Sequence, residues 1–264
     1  MQSLRIKPVR LYKTEAIAPS IKQIKIPKPM KTNHKARRGF TLVELLVVIV
    51  IIAALAGLTA PMVIRQRKKA DQTEAVSNAR QIGLALFEFE NEYGSYPDAT
   101  TAKAVTDATG SQLTLSGTTA NDYFRQLLAG NFTQSEKMFY AKVPNAKKPD
   151  DNIATQNAMA EGEVGFGYML KGTAGFNAAG NPSRPLAVTP LFNNTTTGEF
   201  DPAPFDSKAI VLRMDNSVTS INVKLDKKIN LGGTESGLLT KGPDTVWGDM
   251  TEAPTIAAPK MKGN

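Results

Sequence analysis

The sequence predicts an α+β chain, a long N-terminal helix packed against a C-terminal antiparallel sheet domain, and three stretches carry that prediction. Phe40–Ile64 is a nearly unbroken apolar run. Ala75, Ala79, Ile82, Leu86, Phe89 and Tyr93 follow at spacings of 4, 3, 4, 3 and 4, the signature of one apolar stripe on a helix. Near the C-terminus, K-A-I-V-L-R-M-D-N-S-V-T-S-I-N-V-K-L joins two β-type runs through a turn.

The charge sits at one end. The 264 residues carry a formal charge of +8, which by itself suggests a nucleic-acid partner. Residues 1–39 hold eleven Lys and Arg against the single acid Glu15, a local charge of +10 that leaves −2 for the rest. The basicity therefore belongs to a leader, and no specific nucleic acid is expected. Cysteine is absent, and the only histidine, His34, lies in that leader. Thiolate catalysis, Ser-His-Asp triads and histidine zinc sites are thus excluded beyond Gly39. No Gly-rich phosphate loop or GxSxG elbow occurs, and the chain is not read as an enzyme. No cofactor is expected.

From Phe40 to Ile64 the polar or helix-breaking residues are Thr41, Glu44, Gly57, Thr59 and Pro61. As a helix this stretch is about 37 Å long, enough to cross a bilayer core of about 30 Å. Glu44 is the anomaly, because a carboxylate in such a span costs a few kcal/mol (about 2.5–3.5) unless it stays at the interface or finds a cation. Cleavage before Phe40 would create one: an α-amino group four residues away that can meet Glu44 of an axially shifted neighbouring helix. A plain secretory signal, with Leu45–Ala53 as its apolar region and Ala54-Leu-Ala56 as its cleavage site, leaves Glu44 unexplained. So does an uncleaved signal anchor.

The string R-R-G-F-T-L-V-E-L-L resembles the processing motif of type IV prepilins and type II secretion pseudopilins. In that family a basic leader ends in Gly, Phe begins the mature chain, and Glu is its fifth residue. Gly39, Phe40 and Glu44 match all three. The resemblance implies cleavage after Gly39 by a prepilin peptidase, N-methylation of Phe40, and pairing of Glu44 with a neighbour's N-terminus during assembly. Pro61 falls where many such proteins have a helix-bending proline. Gly57 and Pro61 are the expected kink, since Pro removes an N–H and clashes with the preceding turn. The partners implied are the peptidase, other pilin subunits in a homo- or hetero-filament, an inner-membrane assembly platform and, before assembly, membrane lipids. The location implied is the inner membrane for the precursor, then a pilus on the cell surface or a periplasmic pseudopilus. Seven basic residues in the twenty before Phe40, against Arg65, Arg67, Lys68 and Lys69 after the span, modestly favour a cytoplasmic leader.

The organisation expected is a removed leader at 1–39, a transmembrane or filament-core helix at 40–64, its amphipathic continuation at 65–94 and a head at 95–264. Gly94 caps the helix and Pro97 forbids an easy restart. The ending N-E-Y-G-S-Y-P is also similar to the helix end of pseudopilins. Residues 98–120, rich in Thr, Ala, Ser and Gly, read as a surface loop with a short strand around Gln112–Leu115. Asn121 or Asp122 caps a short helix through Leu128, closed by Gly130. Met138–Val143 is open between strand and helix end, and Pro144–Asn157 is a polar loop. Val164–Leu170 and Leu186–Val188 are strands. Ala209–Met214 and Val218–Leu225 form a hairpin around Asp215-Asn216-Ser217, similar to a hairpin of several bacterial pilin-like families. Trp247 anchors the tail, and the stretch after Met250 is expected to be disordered.

One metal possibility follows from composition. Asp201, Asp206 and Asp215, with Asp150 and Asp151, are oxygen donors of the kind Ca²⁺ takes, and some major pseudopilins bind Ca²⁺ in a C-terminal loop. No dense D-x-D-x-D-G pattern occurs, and loop aspartates more often cap turns, so no metal is expected. The missing C-terminal cysteine pair departs from many type IVa pilins, and the mature length exceeds that of a compact major pilin. The function expected is a structural subunit of a type IV pilus or pseudopilus-type filament. The alternative is a membrane-anchored cell-envelope binding module that does not polymerise.

Overall fold

The computed structural model describes residues 39–153, 157–233 and 237–263. The basic leader up to Arg38, with His34, lies outside the described residues. The chain divides into two compact units, Met1–Ile51 and Ile52–Asn264. In the first, the described residues run from an extended Gly39-Phe40 into the opening turns of helix α1, Leu42–Tyr93.

In the second unit α1 changes character. Ala75, Ala79, Ile82, Leu86 and Phe89 are buried, as the stripe predicts, joined by Gly83 and Ala85. The helix stops where its apolar face ends: Gly94 takes φ 79° and its N–H reaches the Glu90 carbonyl at 2.7 Å.

The expected loop after Pro97 is instead a helix, α2, Ala99–Thr109. Its start is fixed by a reciprocal cap. Asp98 Oδ1 accepts from the N–H groups of Thr100 (2.7 Å) and Thr101 (2.8 Å), while the Asp98 N–H donates to Thr101 Oγ1 at 2.8 Å. Thr106 and Thr109 turn their hydroxyls onto carbonyls one turn back, and Ala102 and Val105 face the core. The strand expected at Gln112–Leu115 is absent. Leu115 is a buried plug whose carbonyl accepts from Gln126 Nε2 at 3.1 Å.

Helix α3, Ala120–Ala129, forms as expected, but Thr119 is its N-cap rather than Asn121 or Asp122. Asp122 serves as the third helical residue, taking the Thr119 N–H (3.0 Å) and hydroxyl (2.6 Å) on Oδ2. Asn121 turns inward instead, donating to the Met159 carbonyl at 2.8 Å and accepting the Lys260 N–H at 2.8 Å. Met138–Val143, left open by the sequence, begins as a single 3₁₀ turn at Lys137–Phe139.

The sheet has five antiparallel strands: β1 Gly167–Lys171, β2 Pro185–Thr189, β3 Lys208–Arg213, β4 Val218–Asn222 and β5 Pro254–Ala257. Their order is β4-β3-β2-β1-β5. β1, β2 and β3 are buried almost throughout and therefore read as continuous apolar runs. β1 begins three residues later than expected, after Gly165, where a side chain would strike the Ala141 backbone at 2.6 Å. The β3–β4 hairpin forms where expected, with Asn216 at φ 60° in its turn, but β4 ends at Asn222 rather than Leu225.

The tail contradicts the expectation of disorder. Residues 254–257 add as β5 to the free edge of β1, pairing Tyr168 with Ala257 and Lys171 with Pro254. An exposed strand edge offers unpaired N–H and C=O groups, and here the chain's own C-terminal segment takes them. Trp247 is fully buried, its Nε1 donating to the Leu238 carbonyl at 2.7 Å and its ring stacked 5.7 Å from that of Phe176.

The candidate processing and assembly segment

Phe40 follows Gly39 as exposed extended chain, and Thr41 opens α1. Glu44 Oε2 accepts from the Thr41 N–H and the Thr41 hydroxyl, both at 2.8 Å. The Glu44 N–H returns a bond to Thr41 Oγ1 at 3.2 Å. This is a capping box: each residue satisfies a backbone donor of the other at the helix end, where orphan N–H groups and the positive end of the dipole favour a carboxylate. Sequence reading treated Glu44 as lacking any local partner and missed Thr41. The signal was present as T-x-x-E before an apolar run.

From Leu45 to Ile64 the helix carries no charged residue and is apolar on every face. An 18-residue window of it has mean hydropathy 2.8 with none of its residues buried, so α1 is long and apolar enough to cross a membrane. The helix runs on through Gly57 and Pro61. Pro61 has no N–H for the Gly57 carbonyl four residues back, so these two positions share one missing backbone bond. Thr59 Oγ1 donates to the Leu55 carbonyl at 3.0 Å in the same turn.

The aspartates singled out as oxygen donors are dispersed. Asp201 Oδ1 accepts from the Ala203 N–H and Asp215 Oδ1 from the Ser217 N–H, both at 2.9 Å, as turn-capping aspartates do. Asp206 has φ 52° in the turn before β3. Asp151 pairs with Lys137 and accepts from Ser135 Oγ at 2.9 Å. Among the described residues, the carboxylates that do gather in a trio are Glu136, Asp150 and Glu163. Asp150 alone of these was singled out from sequence.

Comparison with known proteins bears on the helical segment. Residues 34–60 match the family model described as the prokaryotic N-terminal methylation motif. The type II secretion system core protein G of Escherichia coli (strain K12) is 43% identical over 70 residues, 26% of this chain and 46% of that protein. The protein of the same name from Pectobacterium carotovorum subsp. carotovorum is 41% identical over 61 residues, 23% of this chain and 39% of that one. The type IV major pilin protein PilA of Myxococcus xanthus (strain DK1622) is 38% identical over 61 residues, covering 23% and 28%. The chain thus spans less than half the length of these curated relatives. No solved structure matches it. A methylation motif, an apolar helix with Glu44 at its start, and relatives of both kinds agree: the N-terminal segment of the chain is similar to that of type IV pilins and type II secretion pseudopilins.

Proposed function

We propose that this chain is a non-catalytic structural subunit of a type IV pilus or pseudopilus-type filament, built through its N-terminal helix after a prepilin peptidase removes residues 1–39. The observation that carries the reading is the Thr41–Glu44 capping box at the head of a helix that then has no charged residue through Ile64. In that division of labour residues 40–64 are held by membrane lipids and then become filament core. Residues 65–94 continue the helix into the head at 95–264, and Gly57 and Pro61 supply a bend. Extraction from the inner membrane to a pilus or pseudopilus falls to an assembly platform.

The mechanism is one of register. Cleavage after Gly39 exposes the Phe40 amine, N-methylation keeps it basic, and the amine of one subunit meets Glu44 of the next among packed apolar helices. Leaving a carboxylate unpaired in such surroundings costs about 3–5 kcal/mol, so only one axial shift between helices is tolerated. Thr41 contributes by holding the Glu44 carboxylate at the helix start, beside the end that becomes the amine.

Intact-mass and N-terminal peptide mass spectrometry on protein from its native membrane tests the processing. The expected chain begins at Phe40 with one added methyl group. A chain beginning at Gly57, or retaining Met1, would overturn the reading. Glu44→Ala tests the pairing: the variant should still be processed but enter filaments poorly. Normal filaments from it would sink the register mechanism. A correctly processed chain that stays monomeric in the membrane would instead favour an anchored binding module.

A further inference from the structure

Glu136, Asp150 and Glu163 lie far apart in sequence, at the turn before Lys137–Phe139, in the polar loop and before β1. The fold brings one carboxylate oxygen of each within 4.8 Å of the others. Glu136 and Glu163 are buried, at 1% and 0% exposure, whereas Asp150 is exposed.

The accounting of partners around the trio does not close. Glu163 Oε2 accepts from the Ala160 N–H at 2.8 Å, and its Oε1 receives Lys147 Nζ at 3.2 Å. Lys147 Nζ also stands 3.8 Å from Asp150 Oδ2. Glu136 Oε1 accepts from the Met159 N–H, but Glu136 Oε2 is buried with no hydrogen-bond partner. Three carboxylates against one ammonium leave a charge of −2, and the neighbouring Asp151 is already matched by Lys137. A buried carboxylate oxygen without a donor is among the costliest arrangements a protein can hold. Burial, followed by the charges of Glu163, Asp150 and Asp151, accordingly pushes the Glu136 carboxyl up, against the lowering bond from Met159.

We propose that Glu136, Asp150 and Glu163 form a binding site for one divalent cation of calcium size. Oxygens ligating Ca²⁺ at about 2.3–2.6 Å can be at most about 5 Å apart, a span that contains the separations in this trio. The donor set is entirely hard carboxylate oxygen, which selects Ca²⁺-type ions over zinc or copper. One divalent charge cancels the residual −2, and it supplies Glu136 Oε2 with the partner it lacks. Asp150, being exposed, gives the ion an entry side, while Glu136 and Glu163 are held in place by the backbone N–H groups of Met159 and Ala160. The ion would tie the loop that carries Asp150 to the turn before Lys137 and to the entry of β1. This site stands independently of the filament reading.

The test is calcium titration of the full-length chain in detergent after EGTA treatment, following the thermal midpoint and binding heat, with magnesium alongside. The expected result is a saturable rise in midpoint with a dissociation constant of about 10⁻⁴–10⁻³ M, as for extracellular calcium modules. Glu136→Gln should weaken binding at least about tenfold without lowering the midpoint in EGTA. Asp150→Asn, at an exposed position that leaves the core untouched, should weaken binding as well. No calcium response in the unaltered chain would overturn the site. So would equal responses in the unaltered chain and Asp150→Asn, which would place the ion on other acidic groups.

Discussion

Gly83 and Asn216 meet where the helix crosses the hairpin: a Cβ at Gly83 would stand 2.0 Å from Asn216 Oδ1 and 2.9 Å from Leu212 Cδ1. Residue 83 is a glycine because the hairpin turn after β3 comes against the helix backbone there. Gly83→Ala should destabilise the fold by about 1–3 kcal/mol, despite the better helix propensity of alanine. Adding Asn216→Gly, which suits the left-handed turn position at φ 60°, should restore most of the loss. Chemical denaturation of the two single variants and the double variant checks this. Additive effects would mean that the two residues do not oppose each other.

Asp98 is expected to matter more than its place in a polar stretch suggests. It caps α2 through Oδ1, and its Oδ2 accepts the Gly175 N–H at 3.0 Å, tying the helix start to the segment after β1. Asp98→Ala should cost about 1–3 kcal/mol, since it uncaps a helix and strands a donor in a largely buried place. Hydrogen exchange should quicken first across residues 99–109. Unchanged protection there would show that α2 is held by packing alone.

The tail should depend on one ring. Trp247→Ala removes the stack on Phe176 and the bond to the Leu238 carbonyl, and a loss of about 3–5 kcal/mol is expected. Trp247→Phe keeps an aromatic ring but gives up the bond, for a loss nearer about 1 kcal/mol. Far-UV circular dichroism in urea is the readout, because the substitution removes the only tryptophan fluorophore. Equal losses for the two variants would assign the anchoring to the hydrogen bond.

Alkaline pH should unfold the head through its phenols. Burial, with the Glu90 charge second, pushes Tyr96 up to about 12. Burial likewise raises Tyr93, Tyr123, Tyr140 and Tyr168. A phenol whose folded pKa is raised contributes stability that is complete below its unfolded value near about 10 and is lost as pH rises through the folded value. Circular dichroism should therefore hold to about pH 10 and fall across the next two pH units or so, with Tyr96→Phe moving the midpoint upward. An unmoved midpoint in that variant would remove Tyr96 from the effect.

How far residues reveal structure in this chain follows from whether the signal is local. The apolar run, the stripe from Ala75 to Tyr93 and the β3–β4 hairpin are written in consecutive residues, because helix period, strand period and turn chemistry act over a few positions. Glu44 was equally visible as an unusual charge in an apolar span, and its capping partner Thr41 was only three residues away, legible as T-x-x-E. The helix α2 was not legible as more than a loop. Its Thr-Ala composition has weak preference, and what settles it is a cap by Asp98 and a covered face at Ala102 and Val105.

Sequence by itself determined the leader's charge, the apolar span with its single carboxylate, the long helix and the central hairpin. These depend on backbone periodicity and on the cost of charge in an apolar setting. Tertiary structure alone decided that residues 254–257 become a strand, because a four-residue segment pairs only where another strand's edge offers its backbone. It also decided that Glu136, Asp150 and Glu163 share one place, since residues fourteen and thirteen positions apart converge only when the chain between them folds back on itself.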